Sequence, residues 1–207
     1  MPLASRWCAL WAELGLAIPP GADFASLLAR YREAHRAYHT DQHIGECLAW
    51  LDEVQSQAGS RTTLELAIWY HDAIYRPGRS DNEEASANLA SQDLLAAGAP
   101  GTLGADVASL IRWTAHEAAP PPGDATLLVD IDLAILGASA ARYAEYESQI
   151  RSEYRWVPEF LFRRRRAELL RAFLARPRLY ATPLFFDRLE QPARHNLAES
   201  IRVLSAD

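Results

Sequence analysis

The chain has 207 residues, enough for one well-buried core, and its 49% hydrophobic and 23% charged residues exclude a disordered or fibrous chain. Its formal net charge of −6 argues against general binding to nucleic acid backbones. All 21 cationic residues are Arg, and without Lys both Schiff-base chemistry and Walker-type phosphate loops are excluded. From the start, Trp7, Leu10, Trp11 and Leu14 share one helical face. Arg6 and Glu13 interrupt this segment and no cleavage-like ending follows, so it reads as an amphipathic helix rather than a signal peptide. Pro19-Pro20-Gly21 breaks the chain, and Asp23 caps a helix through Phe24, Leu27, Leu28 and Tyr31 towards His35. Thr40 is placed to cap a third, with Ile44, Cys47, Leu48, Leu51 and Val54 inside. Thr62 or Thr63 starts a fourth, ending near Ile74, before Arg76-Pro77-Gly78.

Asp81 caps a fifth, Ala-rich helix that ends at Gly98. A sixth, preceded by Gly101 to Gly104, runs through Val107, Leu110, Ile111 and Trp113. Pro120-Pro121-Pro122-Gly123 is the clearest loop. Leu127 to Leu136 is a short apolar run that periodicity alone cannot assign, and its helical neighbours favour helix. Ala138 to Tyr154, Pro158 to Ala175 and Pro183 to Leu204 complete about ten helices. With no alternating strand pattern and no repeat, the expected fold is an all-α, single-domain helical bundle over residues 1–207. No uncharged run of about 18 residues exists, so no membrane span is expected. Two cysteines without C-x-x-C exclude a disulfide framework and a zinc ribbon. The expected setting is cytoplasmic.

The candidate chemistry lies among histidines and aspartates. His35, His39 and His43 are spaced by four; on one continuous helix they would stack on one face, and with a helix starting at Thr40 His39 would still sit near His43. Two imidazoles one turn apart suit metal ligation. His71-Asp72 closes an apolar segment just before a Gly/Pro loop. Asp130 and Asp132 lie inside Leu127–Leu136, where an unpaired acid is costly and a cation is one partner that offsets the cost. At i,i+2 they face differently, so one ligates and the other caps or meets solvent. His116 is a further candidate. Each residue taken alone also has a plain structural role as a hydrogen-bonded core histidine, a helix cap or a solvated charge.

The order His43, His71-Asp72, Asp132 resembles the HD superfamily of metal-dependent phosphohydrolases. The strings Tyr38-His39-Thr40-Asp41-Gln42-His43-Ile44, Trp69-Tyr70-His71-Asp72-Ala73-Ile74-Tyr75 and Asp81-Asn82-Glu83-Glu84-Ala85-Ser86-Ala87 are similar to those of one predicted HD phosphohydrolase family. Ile150-Arg151-Ser152-Glu153-Tyr154 and Ala193-Arg194-His195-Asn196-Leu197 extend the likeness over most of the chain. The resemblance implies ligation of a divalent metal by His43, His71, Asp72 and Asp132, with His39 the rival of His43 and Asp130 the rival of Asp132. Imidazole and carboxylate admit Mn, Mg, Fe, Co, Ni or Zn.

The expected reaction is metal-assisted hydrolysis of a small-molecule phosphate ester, nucleotides included. Asp72 would orient the attacking water, and His39 or His116 would supply a proton to the leaving oxygen. Arg76 and Arg79, and second Arg151, would hold phosphate. Arg163-Arg164-Arg165-Arg166 covers all faces of a helix and reads as a solvated face paired with Glu159 or Glu168 rather than a clamp. The alternative is a non-catalytic sensor holding metal or nucleotide in the same pocket. Nucleic acid ranks low as a partner, and the apolar content of the C-terminal helices allows a homodimer.

Overall fold

The computed structural model describes residues 1–206. Among these it contains ten α-helices, two short 3₁₀ turns and no strand, the all-α class expected above. No helix is long and apolar enough to cross a membrane. By its contacts the chain divides into two units, Met1–Val129 and Asp130–Asp207, with the division inside α7 (Asp124–Asp132).

The first unit holds α1 (Leu3–Glu13), α2 (Phe24–Tyr31), α3 (Asp41–Val54), α4 (Arg61–Tyr70), α5 (Asn82–Ala96), α6 (Gly101–Trp113) and the start of α7. Its centre is α4, which packs against α1, α3, α5 and α6. A helix surrounded on all sides must be apolar on all sides. Accordingly Leu64, Leu66, Ala67, Ile68 and Tyr70 are fully buried. The one acid among them, Glu65, is held by Arg6 through Nε and Nη2 at 2.8 and 3.2 Å and by Arg61 at 3.1 Å.

Two helix starts follow the expected caps. Asp23 accepts from Ser26 N at 3.0 Å, and Thr40 accepts from Gln42 N at 3.3 Å. Each such cap is worth about 1 kcal/mol. Other boundaries differ. Helix α2 stops at Tyr31, short of His35. Helix α4 starts at Arg61 because Ser60, not Thr62 or Thr63, accepts from Thr63 N; it ends at Tyr70, not Ile74. Asp81 precedes α5 without capping it, since Arg79 engages its carboxylate. Gly101 and Gly104 lie inside α6 rather than before it.

In the second unit a 3₁₀ turn (Leu133–Gly137) is followed by α8 (Ala140–Glu153), α9 (Glu159–Leu174) and α10 (Pro183–Leu204). The run Leu127–Leu136 is thus helical, α in its first part and 3₁₀ in its second. The turn packs under α10. Gly137 makes that approach: a Cβ there would lie 2.6 Å from Leu189 Cβ and 2.9 Å from Leu189 O. Asn196 ties the same place by donating to Leu136 O and Ala138 O at 2.9 and 3.0 Å.

Candidate metal centre

His43 is the third residue of α3. Its ring turns inward with Ile44 and Cys47, is only 2% exposed, and has Nδ1 3.0 Å from the Tyr38 hydroxyl. His71 follows the last residue of α4, also 2% exposed, with Nδ1 2.8 Å from Ile68 O. A carbonyl only accepts, so His71 Nδ1 carries the proton and the neutral ring presents a bare Nε2. That nitrogen lies 3.1 Å from His43 Nε2 and 3.1 Å from Asp72 Oδ2. His43 Nε2 is 3.7 Å from the same oxygen.

A lone pair pointed at a carboxylate and a second imidazole is repulsive until a proton or a cation enters. Around an ion with bonds of about 2.1 Å, donors at 90–110° to one another stand about 3.0–3.4 Å apart. Two of the observed separations, both 3.1 Å, fall within that spacing, and the third, 3.7 Å, exceeds it by a few tenths of an ångström. Burial works against the Asp72 charge, but the positive charge of His71, His39 and His43 when their rings are protonated outweighs it, and the carboxyl is held well below the usual aspartate range.

Asp132 is the last residue of α7. The start of α7 is rooted in the first unit, where the Asp124 carboxylate accepts from Gly59 N and Ser60 N at 2.7 and 2.9 Å. His43, His71 and Asp132 each offer a donor atom within 4.8 Å of the others, a group that could hold a metal ion. Asp130, its sequence rival, is committed elsewhere: it accepts from Ala181 N at 3.0 Å, Thr182 N at 2.7 Å and Thr182 Oγ1 at 2.6 Å.

The three evenly spaced histidines do not share a helix. His35 and His39 lie in the loop before α3. His39 stacks on Tyr75 with ring centroids 3.9 Å apart and is 6.3 Å from the His43 ring, while His35 Nε2 donates to Tyr75 O at 2.7 Å. His116 closes the turn after α6 with φ 56°, a left-handed backbone that costs a non-glycine residue about 1 kcal/mol or more.

The arginines separate. Arg76 is exposed, and its guanidinium forms no hydrogen bond or ion pair among the described residues. Arg79, named above for phosphate, instead forks the Asp81 carboxylate. Arg151, named likewise, is spent on a local staple: Glu159 at 2.8 Å, Tyr154 O at 2.7 Å, Val157 O at 3.1 Å and the Phe162 ring at 4.7 Å. In the arginine quartet, Arg164 and Arg165 pair with Glu168 as expected, whereas Arg163 caps the end of α10 and Arg166 is buried against Glu147.

The Asp81–Ala87 string holds the loop that follows the histidine-aspartate pair. Asn82 accepts from Arg76 N at 3.0 Å and donates to Arg76 O at 3.2 Å. Ser86 bonds both N and O of Ile74, at 3.0 and 3.1 Å.

Sequence reading assigned no role to Arg36 and Tyr38. Arg36 is buried and bonds the carbonyls of His39, Asp72 and Ala73. A buried arginine is rare enough that sequence alone places it at the surface. Its one signal is its position between His35 and His39, in a short segment rich in rings. Comparison of the chain with family models, with curated proteins and with solved structures finds no match.

Proposed function

We propose that the protein is a metal-dependent phosphohydrolase acting on a small phosphate ester, of the kind the HD resemblance implies. The observation that carries this reading is the convergence of His43 Nε2, His71 Nε2 and Asp72 Oδ2 within 3.7 Å, with the proton of His71 directed away towards Ile68 O. Neutral imidazoles and an ionised carboxylate are the protonation states a divalent cation requires. The donors would be His43, His71, Asp72 and Asp132.

A divalent cation held by these residues would supply Lewis acidity, offsetting charge that develops on the phosphoryl group and acidifying water. Asp72, ionised over a wide pH range, orients water through the carboxylate oxygen not turned to the histidines. His39, stacked on Tyr75 beside the site, holds the proton destined for the leaving oxygen, with His116 as the second candidate. Arg76 follows Tyr75 directly, and its uncommitted guanidinium offers a two-pronged contact to phosphate.

The test is turnover of a panel of phosphomonoesters, phosphodiesters and nucleotides by protein loaded in turn with Mn, Mg, Co, Ni, Fe and Zn. Metal-dependent release of phosphate or nucleoside is expected. His39→Gln should lower kcat, and Arg76→Ala should raise KM by about 10-fold or more, the loss of one charge-assisted pair. Bound metal with no turnover of any ester would overturn the hydrolase and leave a metal- or nucleotide-binding sensor.

A further inference from the structure

We propose that Arg36 is the positioning residue of the metal centre, holding the His39-bearing approach to α3 at a set distance from the His71-Asp72 turn. The proposal rests on the metal reading above and assigns the part of the protein that keeps the ligands in register.

Four observations support it. The Arg36 side chain is fully buried and its Nε is 3.1 Å from Glu33 Oε2. Nη1 donates to His39 O at 3.1 Å and to Asp72 O at 2.7 Å, and Nη2 donates to Ala73 O at 3.2 Å. The guanidinium carbon lies 5.2 Å from the Tyr31 ring centre and 5.5 Å from that of Tyr75. Both rings are themselves fixed at the same place: the Tyr31 hydroxyl donates to Trp69 O at 2.8 Å, and Tyr75 carries His39 on its face.

The chemistry requires arginine. The carbonyls after α4 have no partner inside the helix and favour a positive charge at its C-terminal end. A planar fork reaches carbonyls on two separate segments at once while its faces lie against rings; an ammonium group offers its donors from a single atom and no such face. One of the bonded carbonyls belongs to Asp72 itself, and the next residues beyond His39 lead into the turn that carries His43. A shift of the guanidinium therefore changes the separation of the two ligand-bearing segments, not merely the stability of a helix end.

The experiment titrates cobalt(II) into wild-type protein, Arg36→Lys, Arg36→Met and, as a control, Arg6→Met, reading the dissociation constant and the visible d–d spectrum beside the thermal midpoint. Arg6 is also buried in the first unit, but it bonds Asp52 and Glu65. The expected result is binding weakened about 10- to 100-fold in both Arg36 variants, the usual effect of losing a residue behind the ligands, with an altered d–d spectrum. Arg6→Met should lower the thermal midpoint and keep the wild-type constant and spectrum. Arg36→Lys preserves charge and approximate volume, so the test stands even if Arg36→Met does not fold. Wild-type affinity and spectrum in Arg36→Lys overturn the proposal. A wild-type protein that takes up no cobalt overturns the metal reading on which it rests, a result visible before any variant is compared.

Discussion

Asp72 and Asp130 are both poorly exposed carboxylates, one in each unit, and their surroundings differ in kind. Asp130 meets donors: two backbone N–H groups and a hydroxyl turn towards it from Ala181 and Thr182. Asp72 meets two imidazole nitrogens, of which that of His71 is bare in the neutral ring. A carboxylate surrounded by donors is complete and holds structure together. One that faces lone pairs is incomplete without a cation. Their ionisation departs in opposite directions, through burial at the one and histidine charge at the other. Burial pushes Asp130 above the ordinary aspartate value, against its hydrogen bonds, whereas Asp72, despite burial, is held below it by the positive charge of His71, His39 and His43 when those rings carry a second proton, the same place a cation would take.

The comparison can be broken most forcefully by alanine. Asp130→Ala strands donors at the start of α10 and should cost about 3 kcal/mol in urea unfolding, without abolishing the stabilisation that added metal confers. Asp72→Ala in ion-free protein should cost less than Asp130→Ala and remove most of the metal-induced rise in thermal midpoint. Equal behaviour of the two variants would dissolve the distinction. Next in size, Tyr38→Phe takes the hydroxyl from His43 Nδ1 and should weaken metal binding about 10-fold by calorimetry, with little change in unfolding. Arg151→Met removes a staple of the second unit, and should cost about 1 kcal/mol in unfolding while metal affinity stays at the wild-type value.

The smallest effect is on pH dependence, measured as unfolding midpoints of ion-free protein from about pH 2 to about pH 6. The Asp72 pKa is lowered on folding, so its contribution is present above the ordinary value of 3.8 and lost as pH falls through the folded value. The Asp130 pKa is raised, so its contribution is greatest below 3.8 and is lost as pH rises through the folded value. Asp72→Asn should therefore flatten the acid limb below 3.8, and Asp130→Asn the opposing limb just above it.

Much of the fold was legible because helices announce themselves locally. Asp23 and Thr40 sit where short-range capping needs them, and the spacing of Ile44, Cys47, Leu48 and Leu51 defines the inner face of α3. The start of α4 was misplaced because Ser60, Thr62 and Thr63 are all competent caps, and only the hydrogen bond to Thr63 N selects Ser60. Asp130 and Asp132 were inseparable for a different reason. The partners of Asp130 lie 51 and 52 residues further along, a distance no local pattern spans. Arg36, Arg151 and Arg166 share that difficulty: a guanidinium can cap, pair or bind phosphate, and only its neighbours in space decide which.

The most direct test of the account is the metal content of desalted protein by plasma mass spectrometry, comparing wild type with His71→Ala and with Asp130→Ala after identical exposure to divalent metals. The account predicts about one ion per chain in wild type and in Asp130→Ala, and none retained by His71→Ala. Retention of metal by His71→Ala at the wild-type level would contradict it.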